Sequence, residues 1–260
     1  MSLSVDAIAQ VLDPDGGWSF EVHDEITSTS DLAKAAGLAG RESGLVITAD
    51  SQTAGRGQRS NRWVTPRGLD LMFSVLLRPA VTMVLWPRIT TLAALAVCRG
   101  IEDELALRVG IKWPNDIYCE GKKLSGLLAE TTVREQGSFI VLGIGINVNT
   151  TEFPAELVES ATSLKLQTNA IMPLPLEPIL AAVLNQLSRA IVQWDDGFDE
   201  ILLEVRDRSI LLGKNVRALL DGKPVFGRVR DIDHDGHLVL EHLDGSTQIL
   251  SSAAEVRPMP

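Results

Sequence analysis

The stretch Lys112-Trp113-Pro114-Asn115-Asp116-Ile117-Tyr118-Cys119-Glu120-Gly121-Lys122-Lys123-Leu124-Ser125-Gly126 decides the architecture of this chain. Pro-Asn-Asp is turn chemistry, because proline presets one backbone angle and Asn and Asp side chains bond their own backbone. Glu120-Gly121 is a second turn, so Asp116 to Cys119 is a short strand between two reversals. Working outward, Val109 to Trp113 precedes it, and Leu124 to Val133 and Phe139 to Val148 follow, the last two joined through Gln136-Gly137. Strands this close in sequence with two-residue turns form antiparallel hairpins. Earlier in the chain, Trp18, Phe20 and Val22 alternate as a half-buried strand, and Leu45 to Ala49 and Leu71 to Leu77 are apolar runs of strand length. A mixed or antiparallel sheet is predicted.

Helices flank it. Ser4 caps a short helix ending near Leu12, and the hydroxyl cluster Thr27-Ser28-Thr29-Ser30 precedes Leu32 to Ala36, with Ser28 or Thr29 as N-cap. Ile89, Leu92, Ala93, Ala96, Val97, Ile101 and Leu105 repeat at helical spacing within a helix expected from Trp86 to about Leu105. A second block runs from Leu176 to Trp194 and is read as continuing through Phe198 to Arg206. Beyond Gly213 short strands are punctuated by Asp221-Gly222, Asp235-Gly236 and Asp244-Gly245, three hairpin signals that predict a small SH3-like β-barrel. The domain boundary is expected between 209 and 213. The fold class is α+β.

Composition bounds the function. The 260 residues are 45% hydrophobic and carry a net charge of −10, which argues against wrapping nucleic acid or lying on an anionic membrane. Cys98 and Cys119 have no metal or CxxC spacing, so buried free thiols and a reducing, cytoplasmic setting are expected. The N-terminus lacks a basic patch followed by an apolar run, and Leu92 to Cys98 is too short to span a bilayer. His23, His234, His237 and His242 are scattered, and no metal ligand set is identified.

Against that acidic background, two local basic motifs stand out. Gly55-Arg56-Gly57-Gln58-Arg59-Ser60-Asn61-Arg62-Trp63 is an arginine loop loosened by two glycines, and Lys112 leads the turn before Lys122 and Lys123. Guanidinium forks match phosphate and carboxylate oxygens, and glycine lets backbone approach a ligand closely, so the pair reads as an anion trap. Taken singly, each also reads as an exposed loop or a core-filling turn. Gly143-Ile144-Gly145-Ile146-Asn147 lacks the third glycine and the following helix of a dinucleotide fingerprint.

The order and spacing of Ser28-Thr29-Ser30-Asp31, Gln52-Thr53-Ala54-Gly55-Arg56-Gly57, Lys112 to Asp116, Lys123-Leu124-Ser125-Gly126 and Gly143 to Asn147 resembles the biotin protein ligases. The resemblance covers most of the chain, including the C-terminal barrel. It implies a catalytic domain over 1–210, similar to the class II aminoacyl-tRNA synthetase core with its mixed sheet and flanking helices, and a barrel over 211–260. It implies a ligase that activates biotin with ATP and Mg2+ and transfers it to a lysine of a biotin carboxyl carrier protein or domain of an acyl-CoA carboxylase. Only about two dozen residues precede Ser28, too few for the DNA-reading domain some members carry, so the monofunctional type without DNA binding is expected.

Residue by residue, the resemblance implies catalytic roles for Lys123, Arg56, Lys112 and Asp116. The three cations offset charge as two anions meet, and Asp116 orients the acceptor lysine or takes its proton. Biotin contacts fall on Ser28, Thr29, Ser30, Gln52, Gly55, Arg56, Gly57, Gln58, Lys123 and Gly126. Adenylate contacts fall on Arg59, Arg62, Trp63, Asn115, Gly143 and Asn147. The chain departs from the family pattern at Ser30, where asparagine is usual, and at Gln58, where the loop commonly has a second arginine. A lipoate ligase of the same superfamily, and a biotin-binding regulator without efficient transfer, are the alternative readings.

Overall fold

A computed structural model of the chain describes residues 3–58 and 61–259, so the expected adenylate contact at Arg59 lies outside the described residues. In chain order the elements are α1 (Val5–Val11), β1 (Ser19–Ile26), α2 (Thr29–Leu38), β2 (Leu45–Gln52), β3 (Leu71–Leu77), α3 (Ile89–Leu105), β4 (Gly110–Lys112), β5 (Asp116–Cys119), β6 (Lys122–Thr132), β7 (Phe139–Ile146), α4 (Leu164–Thr168), α5 (Leu176–Val192), α6 (Phe198–Arg208), β8 (Asn215–Leu220), β9 (Lys223–Ile232), β10 (Leu238–Glu241), β11 (Thr247–Leu250) and β12 (Ala254–Pro258).

Among the described residues seven strands form one sheet in the order β1-β2-β3-β7-β6-β5-β4, antiparallel except for the β1–β2 pair. The stretch from Lys112 to Gly126 is the antiparallel hairpin its turns predict, with Glu120 and Gly121 both at positive φ as a tight hairpin turn requires. The central strands carry apolar residues on both faces because both are covered. Leu45, Ile47, Leu76, Phe139 and Val141 pack under α2 with Ala33. Their neighbours Val46, Phe73, Val75, Ile140 and Leu142 belong to the larger core that α3 and α5 complete. Ten residues of α3 are buried. Met83–Leu105 is by length and composition able to cross a membrane, but much of its apolar surface is buried in this core.

Two helix expectations are corrected. A 3-10 turn, Met83–Arg88, precedes α3 in place of an α-helix starting at Trp86, and Pro87 lies inside that turn without an N–H to donate to an α-helical bond. The second block is two helices, interrupted before Gly197, so that α6 packs on α3 separately from α5.

A five-stranded antiparallel sheet, in the order β11-β10-β9-β8-β12, follows α6, with each Asp-Gly pair in a turn between its strands. It is held to the larger sheet. Trp113 Nε1 donates to the Gly236 carbonyl at 2.9 Å, Arg88 Nη2 pairs with Asp235 at 3.2 Å, and Arg206 Nε pairs with Asp231 at 2.8 Å.

Candidate active site

Strand register builds the floor of the site. Met72, Gly145, Gly126 and Asp116 lie in one row across β3, β7, β6 and β5, and Ser74, Gly143 and Leu128 lie in the next. Residues in one row share a face of the sheet. Serine and glycine in these rows leave a hollow beyond the N-terminus of α2, while the next two rows on this face carry Val141 and Phe139, packed against the helix. The resulting pocket is lined by Thr29, Ser30, Gln52, Arg56, Gln58, Lys123 and the two glycine-bearing strands.

Polar groups gather at its inner end. Ser28 is the N-cap of α2, yet its hydroxyl makes no capping bond; Gln52 Oε1 accepts the Thr29 N–H at 2.8 Å instead. The Thr29 and Ser30 hydroxyls meet Ser74 Oγ at 2.8 Å and 3.0 Å. Ser28 is 1% exposed and its Oγ has no hydrogen-bond partner among the described residues. A buried hydroxyl without a partner costs free energy, and Ser28 itself does not line the pocket but adjoins Thr29, which does.

The arginine loop closes over the outer end. Gly57 N–H donates to the Asn61 carbonyl, Trp63 N–H donates to the Gly55 carbonyl, and Arg62 Nη2 donates to the Thr53 carbonyl at 2.7 Å. Gly55 serves this closure, because a Cβ there would stand 2.3 Å from the Trp63 carbonyl oxygen. The Trp63 ring in turn lies across Gly126 and Gly145, where added Cβ atoms would meet it at 3.2 Å and 2.4 Å. Arg56 pairs with Asp31 at 2.7 Å and with Glu130. Burial pulls the Arg56 guanidinium down, but bonds to the two carboxylates outweigh it and raise its pKa.

Lys123 reaches over Gly126 to place Nζ 2.6 Å from Asp116 Oδ1 and 5.8 Å from the centre of the Trp63 ring. A β-bulge between Ile117 and Tyr118 shifts the β5–β6 register beside it. The backbone of Lys123 also pins the next wall, accepting from Thr162 N–H and donating to the Ser160 carbonyl. That wall bounds a second cleft, lined by Arg62, Trp63, Asp70, Tyr118, Asn147, Phe153 and Lys123. Asp70, buried, accepts the N–H groups of Val148, Asn149 and Thr150 and the Thr150 hydroxyl, fixing the end of β7.

The structure therefore brings together most of the residues singled out in the sequence, and divides them differently. Gly143 and Asn115, expected at an adenylate, line the first pocket; Asn115 donates Nδ2 to the Leu127 carbonyl at 2.6 Å. Arg62 and Asn147 line the second cleft, and Asn147 holds the Thr162 carbonyl at 2.9 Å. Ser28, Gly55 and Asp116 line neither cavity, and neither does Lys112. It rests over the Tyr118 ring at 4.9 Å with Nζ 3.2 Å from its hydroxyl, and burial, reinforced by Arg257 and opposed by Asp116, lowers its pKa. Sequence reasoning missed Met72, Ser74, Glu130 and the wall from 150 to 161. Ser74 alone had a signal, as the one polar residue inside Leu71 to Leu77.

The chain is similar to known proteins in sequence and in fold. Residues 22–147 match the family model described as Biotin/lipoate A/B protein ligase family, and residues 211–254 match that of the Biotin protein ligase C terminal domain. The chain is 34% identical over 250 residues to the biotin–[acetyl-CoA-carboxylase] ligase of Mycobacterium tuberculosis, covering 94% of this chain and 91% of that protein. It is 34% identical to the bifunctional ligase/repressor BirA of Bacillus subtilis, covering 90% of this chain and 73% of that protein. The fold is similar to that of the biotin protein ligase from Aquifex aeolicus in complex with biotin and ATP, with a TM-score of 0.79, 26% identity, and coverage of 93% of this chain and 99% of that one. The chain belongs to the biotin protein ligase family.

Proposed function

We propose that this protein joins biotin to ATP as biotinyl-5'-AMP and passes the biotinyl group to a lysine of a biotin carboxyl carrier domain of an acyl-CoA carboxylase. One observation carries the reading. Lys123 and Trp63 are the residues shared by the two cavities, so a ligand acid in the first and a nucleotide in the second meet at an ammonium group.

The chemistry follows from the groups present. In the first step a biotin carboxylate oxygen attacks the α-phosphorus of ATP, and the bond to the β-phosphate breaks with pyrophosphate as leaving group. Two anions must approach; Lys123 supplies positive charge where they meet, and Arg56, already paired with two carboxylates, supplies N–H donors. At the inner end Thr29, Ser30 and Gln52 offer the donors and acceptors a flat ureido head needs, and the unpartnered Ser28 hydroxyl lies one residue before them. Tyr118, Phe153 and Asn147 in the second cleft suit a purine nucleotide. A magnesium ion would be held chiefly by the nucleotide phosphates and would offset the charge of the leaving pyrophosphate. In the second step a carrier lysine attacks the acyl carbon and AMP leaves. Asp116, beside Lys123, orients the incoming ammonium and receives its proton.

We place the division between catalytic domain and barrel near 210, and the reaction in the cytoplasm, a setting that suits two free cysteines. Incubating the protein with ATP, magnesium, a carrier domain and either biotin or lipoate, then weighing the carrier, tests the whole reading. The expected result is a mass gain from biotin alone; a gain from lipoate, or none, overturns it.

A further inference from the structure

We propose that Asp31 and Glu130 form a two-carboxylate latch that holds the arginine loop over the pocket through Arg56, and that both are positioning residues for retention of the acyl-adenylate. The second half of this statement rests on the biotin ligase reading above; the first does not.

Among the described residues the loop's backbone bonds are internal. They close Gly55 to Trp63 and Gly57 to Asn61, and Arg62 reaches only to Thr53 at the foot of the loop. None of them fixes where the loop sits above the sheet. Among the described residues two contacts do so: Trp63 packed across Gly126 and Gly145, and the Arg56 guanidinium, which joins Asp31 in the first turn of α2 at 2.7 Å and Glu130 on β6. One side chain thus ties loop, helix and sheet together.

Glu130 Oε2 is buried with no hydrogen-bond partner among the described residues, an arrangement that is unfavourable for a carboxylate unless a cation stands beside it. Arg56 provides that cation. Two carboxylates for one guanidinium leave the cluster acidic, which does nothing to attract an anionic ligand directly. Its effect is on orientation. An arginine has five N–H donors, and the two bonds to Asp31 and Glu130 use only part of that set, so the fork is held in one pose while donors remain for a phosphate or carboxylate in the pocket that Arg56 lines. A guanidinium held in place loses less conformational freedom on gripping a ligand than a free one. Without the latch, loop and ligand separate sooner.

The test uses the full-length protein, with Asp31→Asn, Glu130→Gln and the double variant, each also made on an Arg56→Ala background. Two quantities are read: trypsin cleavage after Arg62 in ligand-free protein, a site every variant keeps, and the off-rate of labelled biotinyl-adenylate. The double variant is expected to accelerate both by about tenfold to a hundredfold, the range for losing a charge-assisted bond. Asp31→Asn alone, at an exposed position, is expected to give part of that change. On the Arg56→Ala background the same substitutions are expected to add nothing. Unchanged rates in the double variant, or equal acceleration with and without Arg56, overturn the latch. If wild-type protein binds no biotinyl-adenylate, the ligase reading fails and the cleavage arm still decides the latch.

Discussion

Lys123 Nζ stands 2.6 Å from Asp116 Oδ1 across the β5–β6 hairpin, and Lys123 lines both cavities. The pair divides two tasks between a cation and a carboxylate. Lys123→Ala is expected to cut pyrophosphate release by about a hundredfold or more, the scale for removing one group that stabilises developing charge, while the fold survives because its charge serves no core contact. Asp116→Asn is expected to slow transfer to the carrier more than adenylate formation. Single-turnover measurement of each half-reaction separates them; equal losses in both steps from Asp116→Asn would mean that it shapes the shared pocket.

Ser28 sets stability against binding. Its hydroxyl is buried and unpartnered among the described residues, so Ser28→Ala removes a desolvated group without breaking a protein bond. The variant is expected to be as stable as wild type or up to about 1 kcal/mol more so. Its biotin affinity is expected to fall about tenfold, the equivalent of one lost hydrogen bond. Thermal melting and calorimetric titration with biotin measure the two sides, and a loss of stability with unchanged affinity refutes the assignment.

Gln58 lines the pocket where the family commonly has arginine. A neutral amide bonds a phosphate less strongly than a guanidinium does, by about 1.5 kcal/mol or more. Gln58→Arg is therefore expected to slow release of biotinyl-adenylate by about tenfold. An unchanged off-rate there, with a large increase in Arg59→Ala, assigns the grip to Arg59 instead.

Trp113 connects the catalytic turn to the small sheet. Trp113→Phe keeps most of the bulk but leaves the Gly236 carbonyl without its 2.9 Å donor, and is expected to destabilise the protein by about 1–3 kcal/mol. Because Asn115 and Asp116 follow on the same turn, adenylation is expected to weaken as well. Denaturant unfolding and pyrophosphate release report the two effects, and a variant of wild-type stability counts against the connection.

Local order was legible because it is encoded locally. The hairpins from Val109 to Val148 follow from dipeptides such as Glu120-Gly121, whose positive φ values the structure contains, and the three Asp-Gly turns of the small sheet follow in the same way. The arginine loop was recognisable as a loop for the same reason. The helix boundaries at Trp86 and Trp194 were misplaced because apolar periodicity continues through a 3-10 turn and through a break between helices.

The sequence by itself determined which chemistry is present: arginine and lysine in two turns of an otherwise acidic chain, hydroxyls before a helix, and a set of motifs whose order identifies the family. Tertiary structure alone decided how those groups are shared. Arg56 meets Asp31 and Glu130 from 25 and 74 residues away, and Trp113 finds Gly236 from 123 away. No periodicity records such pairs, since strand register and helix packing bring them together. The same holds for the floor of the pocket. Ser74, Gly143, Gly145 and Gly126 are small residues on three strands, and only the register of β3, β7 and β6 aligns them into one hollow.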